Sequence, residues 1–294
     1  MIIVEKAYAK LNLMLDVLNI RDDGFHDILS IMHSVSLCDI LTVNAEPSDK
    51  TSISIVILNN DDDLPTDERN LIYRGASAYL SYFGITANVK IELEKHIPVA
   101  AGLAGGSSDA AATIRALNRI FHLAFPRQLA EIAAGVGSDV TFCLWGGLCA
   151  CGGRGETVAQ LPYSENLLFI VAIGKSRTST KEAYAKLDRR FENFTIIRED
   201  SFERNDKVVA FMRNCASDFP KYNIFEEIEN GPEVEEIKEI LIKNGADYAM
   251  MSGSGPAVFG YFKNDETAMA ARDKLLEKGY SVYVTRSAYI EDYI

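Results

Sequence analysis

Apolar and polar positions alternate along residues 7–17: Ala7, Ala9, Leu11, Leu13, Leu15 and Val17 are apolar, while Lys10, Asn12 and Asp16 share the other face and Met14 breaks the pattern. A period of two predicts a strand that projects Lys10 and Asn12 together, ordinarily toward water. Turn residues Asp22-Asp23-Gly24 follow, with Phe25 and His26 at the exit. Strands are predicted over 28–37, 39–44 and 52–58, and the acidic segment Asn59–Arg69 reads as a surface loop. A helix is expected over Asn70–Phe83. Val89, Ile91 and Leu93 then alternate with Lys90, Glu92 and Glu94, a strand that runs into a glycine-rich stretch.

That stretch organises the chain. Gly102, Ala104, Gly105 and Gly106 lead into Ser107, Ser108 and Asp109, and Ala110, Ile114, Leu117 and Phe121 then recur at helical spacing. Ser107, Ser108 and Asp109 are cap-type residues, so bare amides and hydroxyls are expected at the positive end of a helix, where an anion, most often a phosphate, binds. Neither the Walker pattern nor G-x-G-x-x-G is present. The other reading is a turn that only lets the helix pack closely on a strand; the paired serines favour phosphate.

Further on, Arg127–Ala134 predicts a short helix. G-S-D-V-T-F-C-L-W places Asp139 at the entrance of a buried strand, and Gly146-Gly147 and Gly152-Gly153 punctuate a strand pair. A soft boundary falls near 161–166, dividing the chain into 1–162 and 163–294. The second part reads strand (167–173), helix (179–187), a charged, mostly helical middle to Asn230, helix (233–243), strand (247–251), the turn S-G-S-G-P, strand (257–262), helix (265–278) and strand (280–286). Strand–helix–strand–strand–helix–strand is the order of a ferredoxin-like unit. The turn at Ser252–Gly255 is a second small, hydroxyl-bearing loop, readable also as an ordinary hairpin.

The 294 residues carry a net charge of −12 without a Lys/Arg-rich run, which argues against nucleic acid and anionic membranes as partners. An anionic ligand must therefore be held by local amides and a few cations. No apolar run reaches the ~20 residues of a membrane span, and no signal layout opens the chain. The five cysteines include no C-x-x-C pair, so neither a disulfide framework nor a structural zinc site is expected, and the cytoplasm is the expected compartment.

A-K-L-N-L, P-V-A-A-G-L-A-G-G-S-S-D-A-A and S-G-S-G-P stand in this order along nearly the whole chain. Together they resemble the three signature motifs of the GHMP small-molecule kinases (galactokinase, homoserine kinase, mevalonate kinase and relatives). R-D-D-G-F-H-D-I and G-S-D-V-T-F resemble the branch of that family that acts on a cytidyl-diphospho-methylerythritol in the non-mevalonate isoprenoid pathway.

The resemblance implies an α/β (α+β) fold with an N-terminal ribosomal-protein-like domain and a C-terminal ferredoxin-like domain. It implies transfer of phosphate from ATP to the 2-hydroxyl of that substrate. Asp139 matches the family's base and Lys10 its catalytic lysine. ATP is expected on Pro98, Val99, Ala100, Ala101, Gly102, Leu103 and Ala104, on Gly105, Gly106, Ser107 and Ser108, and beside Asn70 and Lys95. Asn12, Phe25, His26, Tyr184, Gly253 and Ser254 are expected on the substrate, with Phe25 and Tyr184 flanking the base and His26 reading its edge. Mg²⁺ is expected with ATP, although the sequence shows no dedicated metal cage, and a monomer or weak homodimer is expected.

Phe25 stands where tyrosine is commoner, Ala104 interrupts a run of glycines, and Tyr8 and Thr141 replace common prolines; none removes a charged catalytic group. Another GHMP kinase, such as a homoserine or mevalonate kinase, is the rival enzyme, and a GHMP-derived ligand sensor without catalysis is the rival of another class. D-G-F-H argues against the first, and retention of Lys10 with Asp139 against the second.

Overall fold

The computed structural model describes residues 1–59, 63–162, 166–175, 179–192, 204–210, 220–228 and 230–290. The alternating segment forms the middle of a long strand, β1 (Ile2–Ile20), which pairs antiparallel with a slightly longer β2 (His26–Pro47). The two strands expected over 28–44 are thus one. Cys38-Asp39 reads as a break by composition, but β2 continues because its two halves have different partners: residues 40–47 pair with β4 (Ala87–Glu94) and residues 30–33 with β5 (Leu148–Gly152). β3 (Ser52–Ile57) lies parallel to β4, joined through α1 (Leu71–Phe83), and β6 (Thr157–Gln160) closes the far side on β5.

Three further helices follow: α2 (Gly105–Phe121) and α4 (Ser138–Trp145) pack on this sheet, and α3 (Pro126–Val136) packs on α1, α2 and α4. α4 corrects the strand expected after Asp139. Val140 to Leu144 are buried on every side, so the segment is apolar throughout and carries no period to distinguish strand from helix. The start of α2 is a second correction. The helix opens at Gly105 with Ala104 as its cap residue and no side-chain cap bond, which places Ser107 and Ser108 inside its first turn.

The second half builds a four-stranded antiparallel sheet from β7 (Leu168–Ile173), β8 (Tyr248–Met251), β9 (Ala257–Phe262) and β10 (Ser281–Arg286), in the order β10-β7-β9-β8. With α5 (Thr180–Arg190), α6 (Pro232–Lys243) and α7 (Asp265–Glu277), this is the ferredoxin-like arrangement that the element order predicts. Of the charged middle, the described residues include a helical turn at 204–210 and a 3₁₀ turn at Ile224–Glu227; the rest of that expectation, with residues 60–62 of the acidic loop and Cys215, lies outside the described residues.

β7 shows why the halves adhere. Leu168, Ile170 and Ala172 face the helices, while Phe169 and Val171 face the first sheet and meet Leu11, Ile31 and Val35 in a core between the sheets. Both faces of β1 are therefore covered. Lys10 and Asn12, on the face where water is usual, are 4% and 1% exposed.

The tightest approach across the halves is at Gly102, whose φ is +81° and where a Cβ would lie 2.2 Å from the Ser252 carbonyl oxygen. Gly24 has a similar φ of +80° with nothing within 4 Å. Gly24→Ala is expected to cost about 1–2 kcal/mol, the left-handed penalty alone. Gly102→Ala adds a steric overlap and is expected to cost about 2–5 kcal/mol. Urea denaturation of the two variants checks this, and equal losses would show that the approach of the halves is not rigid.

Candidate active site

The loop before α2 is shaped by its backbone. Ala100, Gly102 and Ala104 have φ of +55°, +81° and +57°, so two alanines are held where glycine is usual. Such strain persists only where the surroundings impose it, and here three carbonyls are tied down. Ala101 O accepts from Ala257 N–H (3.1 Å), Gly102 O from the Ser252 hydroxyl (3.0 Å), and Leu103 O from Lys10 N–H (3.1 Å). In a planar trans peptide the N–H points opposite to the C=O. Fixing these carbonyls therefore turns the next amides, those of Gly102, Leu103 and Ala104, away from these partners, and α2 begins at once behind them. The result is a loop at a helix N-terminus whose amides are turned from the protein partners of its carbonyls, an arrangement suited to an anion.

The same contacts join the motifs. The Ser252 hydroxyl that donates to Gly102 O also accepts from Asn12 N–H at 3.3 Å. Asn223 supports the turn from behind, its Nδ2 donating to Met251 O (2.7 Å) and Gly253 O (2.8 Å). The Ser254 hydroxyl donates to Thr180 Oγ1 (3.1 Å) at the start of α5.

Lys10 Nζ donates to Asn12 Oδ1 and lies 4.0 Å from Asp139 Oδ2. Asn12 Nδ2 in turn donates to Ser30 Oγ (2.9 Å), which fixes the amide. Asp139 occupies the first turn of α4, where the helix dipole favours its charge, and is only partly exposed. Burial draws the Lys10 ammonium below the ordinary lysine value of 10.5, and the Asp139 charge pushes it back up. A lysine with its proton loosened beside a carboxylate at a cavity wall is an arrangement that handles a hydroxyl proton.

At the far end, His26 and Tyr184 lie with ring centroids 4.6 Å apart, and His26 Nε2 is 2.7 Å from Asp188 Oδ1. Phe25 is 51% exposed, with Arg154 Cζ 4.9 Å from its ring centroid. Lys95 Nζ bonds to Asp39 and to Asp109 Oδ2 (2.9 Å), and Asp39 also accepts from the His96 and Ile97 amides (2.5 and 2.7 Å). Burial opposes the Lys95 charge, but the two carboxylates outweigh it and raise its pKa. Burial raises the Asp109 carboxyl well above the carboxylate range, with Lys95 opposing.

One cavity of about 1010 Å³ collects these groups, at the upper end of the range for ligand clefts. Lys10, Asn12, Phe25, His26, Asn70, Lys95, Asp139, Tyr184, Gly253 and Ser254 line it, together with the loop from Pro98 through Ser107. Ser108 does not: it is 1% exposed within α2. Asn70 also caps α1, its Oδ1 accepting from Ile72 N–H (2.9 Å).

Sequence reasoning missed Ser252, Asp39, Arg154 and Asp188. Ser252 sits in a motif already singled out, but its sequence does not say which serine turns inward. Asp188 lies four residues after Tyr184, one helical turn on, which marks it as a neighbour on the same face. Among the described residues, no group of three His, Cys, Asp or Glu is arranged to hold a metal, and no helix is long and apolar enough to cross a membrane.

Known proteins agree with this architecture. The N-terminal domain of the GHMP kinases matches residues 70–147, and their C-terminal domain matches residues 209–281. The 4-diphosphocytidyl-2-C-methyl-D-erythritol kinase of Caldicellulosiruptor bescii is 39% identical over 277 residues, 92% of this chain and 93% of the relative. That of Macrococcus caseolyticus is 38% identical, covering 97% of this chain and 99% of the relative. A crystal structure of 4-(cytidine 5'-diphospho)-2C-methyl-D-erythritol kinase superposes with a TM-score of 0.76 at 29% identity, over 97% of this chain and 100% of the other. A homoserine kinase from Cytophaga hutchinsonii shares the fold, with a TM-score of 0.68 at 21% identity. The chain belongs to the 4-diphosphocytidyl-2-C-methyl-D-erythritol kinases of the GHMP kinase family.

Proposed function

We propose that this protein transfers the γ-phosphoryl group of ATP to the 2-hydroxyl of 4-diphosphocytidyl-2-C-methyl-D-erythritol, a step of non-mevalonate isoprenoid precursor synthesis. The observation that carries this reading is that the Lys10–Asp139 pair, 4.0 Å apart, shares one cavity with the amide-lined loop and with Phe25, His26 and Tyr184. Residues 1–162 would form the ATP-binding unit, and residues 163–294 would close the cleft. The reading places the enzyme in the cytoplasm, where ATP is at hand, as a monomer or weak homodimer.

In this mechanism the loop amides and the α2 N-terminus hold the β- and γ-phosphates, with Ser107 in the first helical turn beside them. Asp139 accepts the proton of the 2-hydroxyl as its oxygen attacks the γ-phosphorus. The bond to the β–γ bridging oxygen breaks, ADP leaves, and Asp139 passes its proton to solvent. Lys10 keeps Asp139 ionised and draws charge from the attacking oxygen; Asn12 holds Lys10 in place. Phe25 and Tyr184 flank the cytosine, His26 meets its edge, and Gly253 and Ser254 border the erythritol.

Mg²⁺ suits the site as an ion carried by ATP. Asp109 lines the cavity and its Oδ1 has no hydrogen-bond partner, so this oxygen would be the chain's share of the ion's coordination. When bound, Mg²⁺ would neutralise charge on the phosphates.

An ADP-release assay with Mg-ATP and the cytidyl substrate is expected to give turnover, with none from homoserine, mevalonate or galactose. Turnover on a control alone would replace the acceptor, and ATP binding without any turnover would favour a sensor. Asp139→Asn is expected to lower kcat roughly 10²- to 10⁴-fold with the fold retained, at a melting temperature lowered by the loss of the charged partner of Lys10; near-normal kcat would remove Asp139 from the mechanism. Because Lys10 acts as the ammonium and its pKa is lowered, kcat is expected to fall as pH rises through a value below 10.5. Lys10→Arg, always charged, should lack that basic limb in its residual activity; persistence of the limb would assign it to another group.

A further inference from the structure

Arg154 sits in the turn between β5 and β6, and the transfer chemistry above makes no use of it. It lines the cavity at one flank of the Phe25 ring, its Cζ 4.9 Å from the centroid. Its backbone also abuts the transfer site: a Cβ on the next residue, Gly155, would lie 3.5 Å from Asp139 Oδ1. The turn therefore reaches from a ring suited to stacking a base, beside the Arg154 guanidinium, to a carboxylate suited to taking a hydroxyl proton, beside its backbone.

Its acidic neighbours leave the fork largely uncommitted. Glu156 Oε1 is 3.9 Å from Arg154 Nε, and the other Glu156 oxygen accepts the Arg154 backbone N–H at 2.6 Å, so this carboxylate is engaged in forming the turn. Asp23 feels the Arg154 charge, but its oxygens take the Arg21 Nε at 3.2 and 3.3 Å. The other cations around the cavity are differently placed. Lys95 is shared by Asp39 and Asp109, Arg69 is forked onto Asp67, Lys10 faces Asp139, and Lys181 is exposed at the start of α5. In a chain of net charge −12, an anionic ligand needs such a local cation.

We infer that Arg154 binds the diphosphate that joins the cytidine to the acceptor alcohol, while keeping its seat over Phe25. The inference rests on the reading of this cavity as a cytidyl-diphosphate acceptor site. A diphosphate presents pairs of oxygens that a planar guanidinium meets with two parallel N–H bonds, which a lysine cannot reproduce. The seat over Phe25 gives the guanidinium a fixed plane, so less freedom is lost when the ligand arrives.

Calorimetric titration with cytidine 5'-diphosphate and with cytidine tests this. The wild-type protein is expected to bind the diphosphate at least tenfold more tightly than the nucleoside. In Arg154→Gln the diphosphate affinity is expected to fall roughly 10- to 100-fold, cytidine affinity to stay within about twofold, and Arg154→Lys to recover only part of the loss. Unchanged cytidine binding also reports an intact base site in the variant. A wild-type-like preference for the diphosphate in Arg154→Gln would overturn the inference and leave the acceptor reading standing, with Lys181 on α5 as the next cation. Failure of the wild-type protein to bind either ligand would overturn the acceptor reading and the inference together.

Discussion

The Ser252 hydroxyl holds together what the rest of the site requires. It receives the N–H of Asn12 and gives its own proton to the carbonyl of Gly102, so β1, the glycine-rich loop and the β8–β9 turn meet at one oxygen. Each neighbouring constraint serves that junction. Gly102 has no side chain because the Ser252 backbone occupies its place, and Asn223 braces the turn from beneath. The strained alanines at 100 and 104 persist because the carbonyls between them are bonded outward. Amides turned away from the protein are thus a by-product of carbonyls aimed at it.

A second constraint is electrostatic. The charged groups buried around the loop meet partners before any ligand arrives: Lys10 with Asn12 and Asp139, Lys95 with Asp39 and Asp109, Arg115 with Glu5 and the backbone carbonyls of Lys6 and Cys143. Removing one member of such a set leaves a buried charge uncompensated, which is costlier than never having built it. Arg115 joins α2, β1 and the C-terminal end of α4, the elements that carry the loop, Lys10 and Asp139. Its carbonyl partner, Cys143 O, lies one turn beyond Asp139, so the helix bearing Asp139 is fixed from behind. This rigidity keeps the reacting groups in place without relying on the ligand's own charge.

Local pattern carried much of this into the sequence. Period-two alternation put Lys10 and Asn12 on one face, and the strand–glycine–helix succession located the loop before α2; in the second half, the order of elements specified a ferredoxin-like sheet. Where several elements compete for one segment, the pattern falls silent. Residues 140–145 are surrounded by apolar neighbours, so strand and helix look alike there. The burial of Lys10 depends on distant groups, Asp139 on α4 and Gly253 in the β8–β9 turn, and the His26–Asp188 contact spans 162 positions. Ser107 and Ser108 drew attention as caps, yet α2 begins two residues earlier because tertiary bonds set the conformation of Ala104. The general rule is that faces and motifs are local properties, whereas which atom of a motif turns inward is decided by a distant partner.

The separation of 240 residues between Asn12 and Ser252 has a consequence for the making of the protein. A chain emerging from the ribosome completes its first sheet and all of α2 long before residue 252 is synthesised. Until then the carbonyl of Gly102 has no hydroxyl to receive, Ala101 no amide from residue 257, and the strained loop no reason to hold its shape. The nascent first half therefore carries the whole glycine motif without the bonds that set its conformation, and the loop takes its final shape only when the ferredoxin-like half docks.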